Sequence, residues 1–96
     1  MKKITLLFLT DPGHGWLKVR RSVVEAAGVA QSISQYSYQR NNHVYLEQDC
    51  DAGQLLEALK AQGVEVKIKN VTARNKQSKI RSYHRYTKPY VSCFGG

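Results

Sequence analysis

Residues 3–28, KITLLFLTDPGHGWLKVRRSVVEAAG, decide the fold because they hold the first change of hydrophobic period in the chain. The run 3–10 is apolar at both parities: Ile4, Leu6 and Phe8 point one way, Leu7 and Leu9 the other. A strand apolar on both sides belongs inside a sheet. Asp11-Pro12-Gly13-His14-Gly15 then breaks the run, since proline removes a donor and each glycine permits positive φ. From Trp16 the spacing reads as helical. Trp16, Val19, Val23 and Ala27 fall on one stripe, with Leu17 and Val24 beside it and Lys18, Arg21 and Glu25 elsewhere. With Gly28 as the residue just past the end, this predicts a helix of about three turns over 16–27.

Downstream, 33–39 and 43–47 alternate around a polar Arg40-Asn41-Asn42 stretch. Asparagine tolerates left-handed backbone, so a hairpin is expected. With Asn41-Asn42 as a two-residue loop, Arg40 opposes His43, Tyr38 opposes Tyr45 and Tyr36 opposes Glu47, all six on one face. Ser37, Gln39, Val44 and Leu46 take the other. Asp51 with Gln54 resembles a capping box, Ala52, Leu55, Leu56 and Leu59 follow helical spacing, and Gly63 ends the run. Residues 64–69 alternate strictly, apolar against Glu65, Lys67 and Lys69. The order β-α-β-β-α-β predicts an α+β, ferredoxin-like fold: a four-stranded antiparallel sheet with two helices on one face. Right-handed crossovers put the first strand beside the fourth, with the third on its other side. The domain spans 1–70, and 71–96 reads as a basic, tyrosine-containing C-terminal arm with a short added strand or helix turn around 79–86.

Ninety-six residues provide one core, and an apolar share of 42% with 23% charged excludes a disordered polymer, a collagen-like repeat or a coiled coil. The net charge is +8, and it is unevenly placed. Residues 1–65 balance seven bases against seven acids, whereas 66–96 hold eight bases and no acid. Such asymmetry fits a polyanionic partner. Lys2-Lys3 before Ile4 mimics a secretory start, but the apolar run is six residues long and lacks a small-residue cleavage site, so it reads as a strand. No stretch has the roughly 20 apolar residues that cross a bilayer. Cys50 and Cys93 form no C-x-x-C pair; two free thiols suit a cytoplasmic protein, with a disulfide tethering the tail as the alternative.

The sheet face away from the helices is expected to carry Tyr36, Tyr38, Arg40, His43, Tyr45, Lys67 and Lys69, joined from the arm by Arg74, Lys76, Lys79, Arg81 and Arg85. Rings among cations suit single-stranded nucleic acid, because bases stack and phosphates are neutralised. The alternative is structural: tyrosines paired across strands stabilise a sheet, and the arm folds back over them as a second small core. The Gly-aromatic pattern of RNA-recognition modules is missing. Asp11 with His14 offers an acid/base or metal pair, but two ligands are too few for a closed metal site. Some ferredoxin-like nucleases carry an Asp at the end of the first strand, which keeps a metal-dependent hydrolytic reading of Asp11 as a remote alternative. Glu47, Asp49 and Asp51 precede the second helix, where acids meet the positive end of its dipole, so capping accounts for them; a divalent site is the minority reading. No nucleophilic triad, P-loop or dinucleotide fingerprint occurs. The expectation is a non-enzymatic binding protein without cofactor or metal.

The segments Ile4-Thr5-Leu6-Leu7-Phe8-Leu9-Thr10-Asp11-Pro12-Gly13-His14-Gly15-Trp16-Leu17 and Tyr45-Leu46-Glu47-Gln48-Asp49-Cys50-Asp51 resemble a family of small bacteriophage and mobile-element proteins with no assigned activity. The resemblance runs from residue 2 to about residue 90. It implies an accessory role in the cytoplasm of an infected bacterium, by nucleic-acid binding or by blocking a host defence protein or ribonucleoprotein complex, as anti-CRISPR proteins do. It implies no catalytic residues.

Overall fold

A computed structural model describes residues 2–72 and 79–88. Strand β1 (Lys2–Thr10) runs into a turn built on Asp11, whose Oδ1 accepts the amide N–H groups of Gly13 and His14, both at 2.9 Å. The chain reverses there, and β2 (Gly15–Arg20) returns antiparallel to β1 with Leu7 opposite Lys18 and Leu9 opposite Trp16. The first five residues of the predicted helix over 16–27 are therefore strand. Leu17 and Val19 alternate with Trp16, Lys18 and Arg20, and this period of two wins because both faces of β2 find apolar cover. Gly15 makes the close return feasible: an added Cβ would lie 2.6 Å from Phe8 Cζ and 2.6 Å from Gln48 Oε1. Only the short helix α1 (Arg21–Ala26) remains of the expected one, closed by Gly28 at φ 82°.

The hairpin forms with the expected register. Strands β3 (Tyr38–Arg40) and β4 (His43–Glu47) pair Arg40 with His43 and Tyr38 with Tyr45 around Asn41 at φ 55°. The strand expected over 33–39 is confined to its end, and Tyr36 lies before β3. Helix α2 (Asp51–Ala61) follows, then β5 (Val64–Thr72). β5 lies beside β1, as expected of the last strand of the core, but runs parallel to it. Strands β1 and β4 point the same way, both antiparallel to β2, and α2 carries the chain back to the end where β4 began. A parallel neighbour needs such a crossover.

The ferredoxin-like, four-stranded antiparallel sheet is thus replaced by a six-stranded mixed sheet in the order β5-β1-β2-β4-β3-β6. The extra strand β2 sits between β1 and β4, which the expected order placed side by side. The fold remains α+β with both helices on one face. Leu6, Leu17, Val19, Val44 and Leu46 form that face of the sheet, and Val24, Ala27, Ile33, Leu55, Leu59 and Tyr86 close over it. Residues 79–88 complete the sheet. A 3₁₀ turn (Lys79–Ser82) leads to β6 (His84–Arg85), which pairs Arg85 with Tyr38 and His84 with Gln39. This segment straddles the β3 edge: Tyr86 enters the helical-side core, and Ile80 and Tyr83 pack on the other face. Arg74, Lys76, Tyr90, Cys93 and 94–96 lie outside the described residues, as do the side chains of Lys79 and Arg81. Among the described residues no helix is long and apolar enough to cross a membrane.

Two glycine substitutions test this account. Gly15→Ala is expected to destabilise the protein by about 1–3 kcal/mol, because the new methyl must displace both Phe8 and Gln48. Gly53→Ala, in α2 with nothing within 4 Å of the new Cβ, is expected to stabilise it by about 0.5–1 kcal/mol. Urea unfolding followed by circular dichroism measures both.

Candidate nucleic-acid interface

Cα partners in a sheet share a face, so the register assigns the side away from the helices. One row crosses all six strands: Lys69, Leu7, Lys18, Tyr45, Tyr38 and Arg85. The adjacent row pairs Lys67 with Thr5 on one half of the sheet and aligns Arg20, His43 and Arg40 on the other. Lys3 belongs to the same side and makes an exposed ion pair with Glu65 at 3.4 Å. Lys67, Lys69, Arg20 and Arg40 are exposed and Lys18 is half-buried. Tyr38, Arg40, His43, Tyr45, Lys67 and Lys69 thus share one face, as the alternation predicted. Lys18 and Arg20 join them, and the sequence reading missed both because it placed them on a helix. Their alternation with Leu17 and Val19 was the available signal. The cluster has an electrostatic signature: partial burial, then the nearby charges of Lys18 and Arg20, lower the pKa of His43 below 6.5.

This face is only half open. Over β4 and β3 it is covered by the 3₁₀ turn, and Trp16, Tyr45 and Ile80 form a second small core with Leu9, Tyr38 and Tyr83 packed on it. Tyr45 is 6% exposed, its ring 5.0 Å from that of Tyr83, so no base can stack on it in this arrangement. Burial and the Tyr83 hydroxyl raise the Tyr45 pKa. Cations hold the cover from outside: the Arg40 guanidinium lies 5.0 Å from the centre of the Tyr83 ring, and that of Arg85 lies 4.8 Å from the centre of the Tyr38 ring. Arg85 also donates to the Gln35 carbonyl at 3.3 Å. The rings expected to form an open platform mostly fasten the C-terminal segment. The exception is Tyr36, 70% exposed before β3.

Tyr36 borders a cleft of about 530 Å³ lined by His14, Trp16, Tyr38, Glu47, Asp49, Cys50 and Arg85. His14 stacks on Trp16 with ring centres 5.9 Å apart, and Trp16 meets Tyr38 edge-on. Asp11 does not border this cleft; it is buried and its carboxylate holds the turn. Glu47, not Asp51, caps α2. Its Oε1 accepts the amides of Cys50 and Asp51, and its Oε2 accepts that of Asp49 at 2.9 Å. Asp51 instead is fully buried and ties the long loop to the helix. Its Oδ2 accepts the Ser34 amide at 3.0 Å and the hydroxyls of Ser34 and Ser37, both at 2.6 Å. The chain matches no protein-family model, no curated protein and no solved structure.

If Tyr83 is the cover of Tyr45, then Tyr83→Ala should bring the Tyr45 hydroxyl back down toward its ordinary pKa of 10.0. A site-resolved NMR titration of the Tyr45 ring reads this. An unchanged Tyr45 pKa contradicts the cover.

Proposed function

We propose that this protein is a non-enzymatic nucleic-acid-binding protein whose cationic sheet face holds the phosphate backbone of a single strand. The observation that carries the reading is the register of Lys67 and Lys69 on β5 with Lys18 and Arg20 on β2, across the uncovered half of the sheet. Strands about 4.8 Å apart and same-face residues about 7 Å apart along a strand make a grid of cations on which successive phosphates fit. Leu7 and Thr5 between them offer no competing charge. The buried Tyr45 ring moves base contact away from the sheet centre. Among the described residues, Tyr36 and His14 are the exposed rings that border the cleft. An accessory role in the cytoplasm of a phage-infected bacterium accords with such a surface. The same face would dock on an acidic surface of a host defence complex if the protein acted as an inhibitor, and failure to bind any oligonucleotide at low salt would favour that outcome.

Binding to short single-stranded oligonucleotides should weaken steeply with salt. Lys67→Gln with Lys69→Gln should reduce the slope of log K against log salt by about 1.4, given roughly 0.7 per phosphate contact. Lys60→Gln, on exposed α2 surface across the sheet, should leave the slope unchanged. Equal slopes in all variants would remove the proposed surface.

Acidification supplies a second test. In the free protein His43 is held neutral below its ordinary 6.5, and a phosphate nearby favours the charged ring, so binding takes up a proton. Affinity should therefore rise as pH falls from above 6.5 toward the lowered pKa, and His43→Gln should flatten the rise. A pH series of fluorescence-anisotropy titrations at constant ionic strength measures this.

A further inference from the structure

The first turn of α2 contains a donor set that the cationic face does not use. Glu47, Cys50 and Asp51 each bring one ligand atom, two carboxylate oxygens and a thiol sulfur, to within 4.8 Å of one another. The hydrogen bonds leave specific positions vacant. A carboxylate has about four acceptor directions, and Glu47 uses three of them on backbone amides, two on Oε1 and one on Oε2. Asp51 is more lopsided. All three of its donors, from Ser34 and Ser37, fall on Oδ2, while Oδ1 is fully buried with no hydrogen-bond partner. A buried carboxylate oxygen facing no donor is costly, and a bound cation is one species that offsets that cost. Capping explains Glu47, but nothing in capping explains an orphaned Asp51 oxygen.

We propose that Glu47 Oε2, Cys50 Sγ and Asp51 Oδ1 form a Zn²⁺ site. The thiol decides the metal class: Mg²⁺ and Ca²⁺ take oxygen donors, whereas a mixed sulfur and carboxylate set suits Zn²⁺. In a tetrahedral site with Zn–O near 2.1 Å and Zn–S near 2.3 Å, ligand atoms lie about 3.5 Å apart. One ligand atom from each of the three residues lies within 4.8 Å of the others, and rotation of the exposed Cys50 side chain is what must close the remaining gap. On binding, the thiol proton leaves to solvent as the sulfur–zinc bond forms, and the net charge of the site goes from −2 (two carboxylates and a neutral thiol) to −1. The side-chain amide of Gln54, 3.6 Å from Cys50 Sγ, is placed as an outer-shell donor to that sulfur. Glu47 and Cys50 also line the cleft beneath Tyr36, so the fourth position opens there to water. The site is independent of the phosphate-binding reading and stands if that reading fails.

The test uses the full, reduced chain and Co²⁺ as a spectroscopic substitute for Zn²⁺. One ion per chain is expected to bind with a sulfur-to-cobalt charge-transfer band, and Zn²⁺ should displace it. Cys50→Ser should abolish the band and weaken Zn²⁺ binding by more than the roughly 10–100-fold that loss of an outer-shell partner costs. Cys93→Ser should retain both. Zn²⁺ should raise the melting temperature of the parent and of Cys93→Ser but not of Cys50→Ser, whose side chain is exposed and whose fold is checked by circular dichroism. No band, a band that survives Cys50→Ser, or a band lost in Cys93→Ser overturns the site.

Discussion

Strand β2 is covered on both faces, and that double burial organises the molecule. Leu17 and Val19 pack under the helices, while Trp16 packs in the second core on the opposite side, and all three are at most 2% exposed. Because side chains alternate along a strand, a slip of one residue would drive Leu17 and Val19 out and Lys18 in. Register is therefore held from two sides at once. The same register deals Lys18 and Arg20 to the side that carries Lys67 and Lys69, so packing and charge placement follow from one constraint.

On that side, rings and cations divide the surface. Tyr45, Tyr83 and Trp16 lie inside with Ile80, and Arg40 and Arg85 lie over ring faces at the margin. The covered half near β3 and β6 is stabilised by burial and cation–π contact, and the half near β5 and β1 is left with exposed ammonium groups. Acidic groups gather apart from them: Glu47 caps α2 beside Asp49, and Asp51 anchors the loop through Ser34 and Ser37.

Much of this was legible in the sequence, and the failures share a cause. The doubly apolar β1, the Asn41-Asn42 hairpin, α2 and the alternating β5 each have one period that fits. Residues 16–27 fit two. Trp16, Val19, Val23 and Ala27 satisfy a helix, yet Leu17 and Val19 against Lys18 and Arg20 satisfy a strand, and local pattern does not arbitrate. Only the pairing of β2 with both β1 and β4 decides it, and that is a tertiary fact. This single misreading removed a strand, reversed the direction expected of β5 relative to β1, and hid Lys18 and Arg20 from the candidate surface. The burial of Tyr45 and Asp51 was invisible for a related reason. Tyr83 and the two serines that enclose them are 14 to 38 residues away along the chain.

The central claim is that phosphates meet the uncovered half of the sheet. Chemical-shift mapping with a short single-stranded oligonucleotide at low salt tests it most directly. The account predicts perturbations clustered on β5, β1 and β2, strongest at Lys18, Arg20, Lys67 and Lys69, with the outer surface of α2 silent. Shifts confined to the helical side, or none at all, would contradict it.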